Sequence, residues 1–439
     1  MLQPTDGGYT NGYHYDGAAA VGGGGISAGH RVRRGSRGRV RGRRGGGGGG
    51  SDSDARVLQW QQQQKQREEE EEEREKSAPP CTEFDTAYFN SYAHVGIHEE
   101  MIKDRARTDS YRNAIFQHQS FIAGKVVVDV GCGTGILSIF CAQAGARRVY
   151  AVDASDIAVQ ANEIVKANNL SDKVIVLHGR VEDVEIDEEV DVIVSEWMGY
   201  MLLYESMLGS VITARDRWLK PGGLILPSHA TLYMAPVTHP DRYSESVDFW
   251  RNVYGIDMSA IMPLAKQCAF EEPSVEAITV ENVLTWPQVV KHVDCYTVTT
   301  WELESITARF KFESMMRSPF HGFAFWFDVE FNGPAIYPLN NGIPPSFVEP
   351  SNGNVTEGNQ RKRRPNPSEA VILSTAPEDP PTHWQQTLVY FYEPLDVEQD
   401  QVIEGSLTLS QSKENARFMN IHLEYSSGGR SFVKESVMR

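Results

Sequence analysis

The sequence contains few cysteines, only five among 439 residues, and no two of them form a CxxC pair. The odd number and the wide spacing favour free thiols in a reducing compartment and argue against a zinc site, so no metal is expected. No apolar run is long enough to cross a membrane, and we expect no contact with one. The first residues lack the charged-then-apolar pattern of a signal peptide, so no secretory leader is expected. The sequence also has no internal repeats.

Acidic residues outnumber basic ones outside one short stretch. The chain has a formal net charge of −17, yet eight arginines lie between residues 31 and 44 with no acid among them, so the remainder carries −25. An acidic body with a basic tail is not a general nucleic-acid binder, and direct nucleic-acid binding is not required. An acidic face suits arginine-rich ligands. Excess acid that only aids solubility explains the charge equally well where no specific site exists.

The composition divides the chain into a tail and two folded domains. Residues 1–82 are rich in Gly and Arg, then in Gln and Glu, which predicts a disordered tail. Residues 83–226 begin with two short helices over 88–117. Strand and helix then alternate from Lys125, which predicts a parallel sheet covered by helices.

Residues 227–439 are predicted to form antiparallel strands of a barrel or sandwich. A more helical patch over 243–261 interrupts the strands, and a Pro/Asn/Gly-rich stretch over 338–377 is predicted to be a disordered insertion. The runs that we interpret as strands are 231–239, 295–303, 306–314, 323–331 and 387–394.

A glycine-rich loop and two acidic strand ends predict a nucleoside site. Asp129 ends the first strand, and Gly131 and Gly133 follow in a GxGxG pattern rather than the GxGxxG of dinucleotide binders. Asp153 ends the second strand, where an acid can bind ribose hydroxyls, and Glu182 follows the third. An ordinary tight turn with surface acids would explain any one of these features, but hardly all three.

Two glutamates bracket a mostly apolar loop after the fourth strand. Glu196 and Glu205 would repel each other if they converged, unless a cation lay between them, and guanidinium is the cation best matched to paired carboxylates. Taken in isolation, the pair is better explained by one glutamate that caps a helix and another that is solvated.

Four motifs in order resemble the protein arginine methyltransferase family, from about residue 83 to 439 apart from the insertion. They are YFNSY at 88–92, VDVGCGTG at 128–135, SEWMGYMLLYE at 195–205 and THW at 382–384. Within the family the chain is most similar to the type I branch, and there to plant arginine methyltransferase 6. The resemblance implies an α/β Rossmann-like class I methyltransferase domain and a C-terminal antiparallel β-barrel. It also implies a helical dimerisation arm at about 241–262, a homodimer, and S-adenosylmethionine as cofactor.

The resemblance also assigns roles to residues. It implies a catalytic set of Glu196, Glu205, His383 and Asp104, the last two as a hydrogen-bonded pair. The arginine pocket would be lined by Tyr92, Met101, Met198 and Trp384. The cofactor would contact His98, Arg107, Asp129, Gly131, Gly133, Asp153 and Glu182, with Arg107 on its methionine carboxylate. Asp153 departs from the family pattern, which usually has glutamate there.

The function implied is transfer of methyl groups to protein arginines, in histones and Gly/Arg-rich proteins, giving monomethyl and asymmetric dimethylarginine. Two rival hypotheses are a methyltransferase for nucleic acids or small molecules, and a scaffold with a decayed site. Trp250 and Tyr254 are expected to anchor the dimer. Basic runs at 31–44 and 361–364 favour a nuclear location, with the cytoplasm as a second location. We also expect the enzyme to methylate its own tail at 31–44, although those arginines could serve only nuclear import or RNA contact.

Overall fold

The computed structural model describes residues 81–333 and 371–439. Residues 1–80 of the predicted tail, with the arginines at 31–44, and the basic run at 361–364 lie outside the described residues. None of the helices within the two described ranges is both long enough and apolar enough to span a membrane.

Four helices precede the first strand, where the sequence predicted two. They are α1 (Glu83–Tyr92), α2 (Val95–Lys103), α3 (Arg105–Gln117) and α4 (Gln119–Ile122). The extra break is at Asp104, whose extended backbone ends α2 and whose side chain accepts a hydrogen bond from Arg107 N–H at the start of α3. A single acidic residue therefore separates two helices that apolar spacing alone would join.

A five-stranded parallel sheet follows, with the order β3-β2-β1-β4-β5. All five residues of β1 are buried, as expected for a central strand covered on both faces. The order reverses between β1 and β4, and ligands of such sheets bind at the carboxyl ends on either side of this point. The strands are β1 (Val126–Val130), β2 (Arg148–Asp153), β3 (Val174–His178), β4 (Val190–Ser195) and β5 (Leu219–Leu226). The helices are α5 (Ile136–Gln143), α6 (Ile157–Ala167) and α7 (Leu208–Trp218).

Two antiparallel sheets form the second domain. One has the order β7-β12-β10-β6-β8 with β11 beside β10, and the other has the order β15-β14-β13-β9. Buried aromatic rings from both sheets pack together, including Phe320, Phe323, Phe391 and Tyr425. The strands are β6 (His229–Val237), β7 (Ser274–Glu276), β8 (Gln288–Asp294), β9 (Ser305–Glu313), β10 (Ser318–Phe331), β11 (Val371–Ser374), β12 (Gln386–Val397), β13 (Val402–Gln411), β14 (Met419–Ser427) and β15 (Arg430–Met438). The predicted fold class is confirmed.

The strand predicted over 295–303 is wrong. The chain turns after β8 because the Asp294 carboxylate accepts hydrogen bonds from Tyr296 N–H and the Thr297 hydroxyl. A short helix, α10 (Thr300–Glu304), then begins where the Thr299 side chain caps the Glu302 N–H. Side-chain hydrogen bonds to the backbone thus override the β propensity of threonine and valine.

Two further boundaries differ from expectation. Val371–Ser374 lies inside the predicted insertion, yet it forms β11 because its apolar run pairs with the end of β10, from Asp328 to Phe331. The predicted arm begins with α8 (Pro240–Ser246) and short 3₁₀ turns, and its helical part continues through α9 (Met262–Phe270), beyond the predicted end at 262.

Candidate active site

A cleft of about 1050 Å³ opens at the carboxyl ends of β1, β2 and β4 and is covered by α1 and α2. It is large enough for a nucleoside cofactor together with an amino-acid side chain. Among the predicted site residues, those on its wall are Tyr92, His98, Met101, Arg107, Gly131, Gly133, Asp153, Glu182, Glu196, Met198 and Glu205. Asp104, Asp129, His383 and Trp384 are not among the residues that line this cleft, and the predicted role of Trp384 in the arginine pocket stays a prediction.

Side chains from two other segments pack directly against the glycine loop after β1. Gly131 has φ +71°, and a Cβ there would come within 2.1 Å of Met207 Cε. A Cβ on Gly133 would come within 3.0 Å of the ring of His98, whose Nε2 donates to the Tyr92 carbonyl at 2.8 Å. The absence of a side chain at both glycines therefore allows Met207 and His98 to lie against the loop backbone.

Asp129 is fully buried beneath this loop. Its Oδ2 accepts a hydrogen bond from Ser138 Oγ at 2.6 Å, while its Oδ1 has no partner within the described residues. Burial raises the pKa of Asp129 to about 7. An unpartnered buried oxygen costs free energy unless something binds it.

The Asp153 carboxylate is hydrogen-bonded to the glycine loop, although aspartate is shorter than the glutamate expected at this position. Its Oδ2 accepts from Gly133 N–H at 2.8 Å, and its Oδ1 accepts from the N–H and hydroxyl of Ser155. A carboxylate oxygen can accept two hydrogen bonds, so Oδ2 keeps capacity for a hydroxyl group.

Glu182 lies in a loop that α7 holds in place. Its Oε1 accepts from Ser210 Oγ at 2.7 Å. The Arg217 guanidinium donates to the carbonyls of Val181, Glu182 and Val184 at 2.9–3.0 Å. These hydrogen bonds fix the backbone of the loop. Arg217 was not predicted from the sequence, because no local motif marks it.

Glu196 forms a buried ion pair with Arg107. The Nε–Oε2 distance is 3.1 Å, and the Arg107 and Glu196 side chains are only 7% and 9% exposed. Arg107 also donates to the Met101 carbonyl at 3.2 Å. The residue predicted to bind the cofactor carboxylate therefore also holds one of the two predicted catalytic glutamates.

Glu205 is held by two phenols. The hydroxyl groups of Tyr88 and Tyr92 each donate to Glu205 Oε2 at 2.8 Å. Burial raises the pKa of Glu205 above its ordinary value, while the two phenol hydrogen bonds and the Arg417 charge lower it and the Glu196 charge raises it. Tyr88 was missed as a site residue, although it begins the YFNSY motif.

The loop between the two glutamates has an unusual backbone. Met201, Leu202, Glu205 and Ser206 all have φ between +49° and +74°, a conformation that costs side-chain-bearing residues energy. A Cβ on Gly199 would come within 2.0 Å of the Tyr204 carbonyl oxygen, so the loop closes tightly on itself.

The THW segment ties the barrel to this loop. His383 Nδ1 donates to Asp104 Oδ2 at 2.7 Å, and Trp384 Nε1 donates to the Met198 carbonyl at 2.9 Å. Burial acts to raise the pKa of Asp104, but hydrogen bonds from His383 and from Arg107 N–H outweigh burial and leave that pKa lowered. The predicted His–Asp pair therefore sits between the barrel and α3, which carries Arg107.

Comparison with known proteins decides what this cleft is. Residues 228–337 and 364–430 match the family model of the arginine methyltransferase oligomerization subdomain, and 115–228 match that of ribosomal protein L11 methyltransferase (PrmA). The chain is 80% identical to a probable protein arginine N-methyltransferase 6 of Arabidopsis thaliana, over 83% of this chain and 84% of that one. The chain belongs to the protein arginine N-methyltransferase family. Protein arginine N-methyltransferase 6 of Danio rerio is 45% identical, over 78% of this chain and 90% of that one.

Solved structures of arginine methyltransferases have the same fold. A chain of the Trypanosoma brucei PRMT1 enzyme–prozyme complex with AdoHcy gives a TM-score of 0.67 at 35% identity, over 80% of this chain and all of that one. Arabidopsis thaliana protein arginine methyltransferase 10 gives a TM-score of 0.65 at 36% identity, with the same coverage. The present chain is thus an S-adenosylmethionine-dependent protein arginine N-methyltransferase, and neither rival hypothesis is needed.

The cleft fits this cofactor by its own geometry. The volume of the cleft, the acids at the ends of β1 and β2, and the unpartnered oxygen of Asp129 suit a nucleoside with a charged amino-acid end. Asp153 would hold the ribose, Glu182 the adenine end and Arg107 the carboxylate.

Proposed function

We propose that this enzyme is a type I methyltransferase that modifies arginines of histones and Gly/Arg-rich proteins, giving monomethyl and asymmetric dimethylarginine. The observation that carries the proposal is the pair Glu196 and Glu205 in one largely buried cleft, with Met101 on the same wall. Arg107 balances the charge of only one of the two acids, so the pair can still accept a cationic ligand, which a protein arginine supplies.

The substrate guanidinium is a weak nucleophile, because its pKa exceeds about 12 and its lone pairs are delocalised. S-adenosylmethionine, when bound, supplies an electrophilic methyl group. Glu196 and Glu205 hold positive charge on the nitrogens that they contact, which leaves the remaining nitrogen richer in electron density and oriented for transfer.

Each glutamate has a separate support that keeps it in place. Arg107 holds Glu196 through Oε2, and the phenols of Tyr88 and Tyr92 occupy Oε2 of Glu205. We assign acceptance of the released proton to Glu205, since burial raises its pKa.

We assign to the His383–Asp104 pair the role of holding the arginine pocket closed. Asp104 accepts from His383 Nδ1 with one oxygen and from Arg107 N–H with the other, so the pair connects the barrel to the arginine that holds Glu196.

The proposed dimethylated product is asymmetric dimethylarginine. Its support is the slender side chain of Met101 on the wall of the cleft. A flexible, unbranched side chain leaves room for a second methyl group on the same nitrogen. The test is mass spectrometry of histone and Gly/Arg-rich peptides after incubation with enzyme and cofactor. Fragments that lose dimethylamine identify asymmetric dimethylarginine, and mainly symmetric product would refute the type I assignment.

The proposed assembly is a homodimer through the arm. Four large apolar side chains on or near its helices are exposed in the single chain: Phe249 by 52%, Tyr254 by 100%, Ile256 by 62% and Leu264 by 67%. The full exposure of Tyr254 argues against packing within its own barrel. Trp250 is partly buried and contacts Phe249 edge-on, which makes it a support for the patch.

Nuclear residence and self-methylation rest on sequence outside the described residues. We propose nuclear residence from the basic runs at 31–44 and 361–364, and a tagged chain confined to the cytoplasm would contradict it. Self-methylation is tested by incubating the enzyme with labelled cofactor and no substrate, then mapping peptides. Absence of label from 31–44, or equal labelling there in Glu196→Gln, would refute it.

A further inference from the structure

The hairpin between β13 and β14 reaches from the barrel to the glutamate loop. Arg417, at its end, donates from Nη1 to the Glu205 carbonyl at 2.9 Å, and the Arg417 carbonyl accepts from Glu205 N–H at 3.1 Å. Ser206 Oγ donates to the carbonyl of the neighbouring Ala416. The backbone of Glu205 is therefore bound on both sides by one barrel residue.

The same guanidinium also holds helix α1. Arg417 Nε and Nη2 lie 2.9 and 2.8 Å from Asp85 Oδ1, and Arg417 Cζ stands 3.9 Å from the centroid of the Tyr88 ring. Tyr88 in turn donates to the Glu205 carboxylate. Three separate parts of the chain meet at this one side chain, which is only 18% exposed.

We infer that Arg417 is a positioning residue for methyl transfer, which sets the backbone of Glu205 and the phenol of Tyr88 and so aligns the Glu205 carboxylate. The arrangement explains how Glu205 keeps a left-handed backbone at φ +74°, since reciprocal hydrogen bonds to Arg417 compensate for the strain. A planar guanidinium suits this place because its fork can serve a carboxylate, a carbonyl and an aromatic face at once.

Arg417 also affects the pKa of the Glu205 carboxylate. The groups that face Glu205 are the phenols of Tyr88 and Tyr92, the carboxylate of Glu196 and the guanidinium of Arg417, with the Tyr200 phenol also within electrostatic reach. Arg417 is the cation of this set and acts to lower the pKa of Glu205. Its removal should therefore raise that pKa. The acid limb of the pH–activity profile, where activity falls as the pH decreases, should then move to higher pH.

The test is the pH profile of kcat and kcat/KM for the full-length enzyme with an arginine peptide. In Arg417→Met we expect kcat to fall on the order of 10- to 100-fold, because a small misplacement of a catalytic group has effects of this size. We also expect the acid limb to move to higher pH. Arg417→Lys keeps the charge but cannot make all three contacts, so its acid limb should stay near that of the wild type while kcat recovers only in part.

Arg215 provides a matched structural control. It is 13% exposed, pairs with an acid, Asp216, and donates to two backbone carbonyls of the barrel, those of Cys295 and Val298, away from Glu205. Arg215→Met should lower the melting temperature much as Arg417→Met does, without moving the acid limb. An unmoved acid limb in Arg417→Met, or activity that falls only with the folded fraction, would overturn the inference.

The inference rests on the proposed role of Glu205, and one further variant separates the two. Glu205→Gln should remove the acid limb altogether if Glu205 is the titrating group. If the limb persists in Glu205→Gln, the proposed role of Glu205 fails. If Glu205→Gln removes the limb while Arg417→Met leaves it in place, the role of Glu205 stands and that of Arg417 fails.

Discussion

Replacing Glu196 by glutamine removes one charge of the proposed clamp while keeping nearly the same shape. The side chain lies 3.1 Å from Arg107 in a buried pair, so the substitution also leaves the Arg107 charge without its partner. Breaking a buried pair costs about 3–5 kcal/mol of folding free energy. The glutamine carbonyl can still accept from Arg107 Nε, so we expect a smaller loss, about 1–3 kcal/mol.

The effect on turnover should be larger than the effect on folding would explain. Removing one preorganised group that stabilises transition-state charge typically costs about 10²- to 10³-fold in kcat. Cofactor affinity should stay near normal, because the glycine loop, Asp153 and Glu182 are untouched and the glutamine carbonyl can still hold Arg107 in place. The assay is transfer of labelled methyl to an arginine peptide, with calorimetry of S-adenosylhomocysteine binding and a thermal melt on the same protein.

A surface glutamate of the same domain serves as the control. Glu188 pairs with Arg147 and Arg148 at the surface, so Glu188→Gln should leave turnover unchanged. If Glu196→Gln retained more than about a tenth of wild-type turnover, the charge would be worth less than ~1.4 kcal/mol and the clamp hypothesis would be refuted. Loss of cofactor binding in parallel with turnover would refute it equally.

Three further outcomes are expected. Gly199→Ala should reduce turnover at least tenfold, because its Cβ would strike a backbone oxygen at 2.0 Å. Gly333→Ala should not, because its Cβ would meet only His118 Cε1 at 3.8 Å; peptide kinetics check both variants. Tyr92→Phe removes a hydrogen bond that lowers the pKa of Glu205, so that pKa rises and the acid limb of kcat/KM should move to higher pH. Tyr254→Asp should shift light-scattering mass from dimer to monomer, and an unchanged dimer would count against the arm as its interface.

The positions of the cofactor acids could be predicted because each depends on local order alone. Asp129 and Asp153 end adjacent parallel strands, and the carboxyl ends of such strands share one edge. The alternation of strand and helix was therefore enough to bring both to one edge of the sheet. The arrangement around 295–303 could not be predicted in the same way, because Asp294 and Thr299 redirect the backbone through hydrogen bonds that composition does not reveal.

The residues that hold Glu205 in place could not be predicted from the sequence for a different reason. Tyr88 is 117 positions from Glu205, and Arg417 is 212 positions from it, so neither contact belongs to a local pattern. The left-handed residues of the glutamate loop, such as Met201, are not glycines, and nothing in the sequence marks their conformation.

The strained backbone of the glutamate loop affects how the enzyme works. A loop with several left-handed residues persists only where its surroundings determine it, and here those surroundings come from both domains. Trp384 and Arg417 hold the loop from the barrel, while Tyr88 holds the carboxylate of Glu205 from helix α1. The barrel is thus a structural part of the catalytic site. Changes that loosen the barrel should reduce turnover before they affect the glycine loop, which is predicted to bind the cofactor.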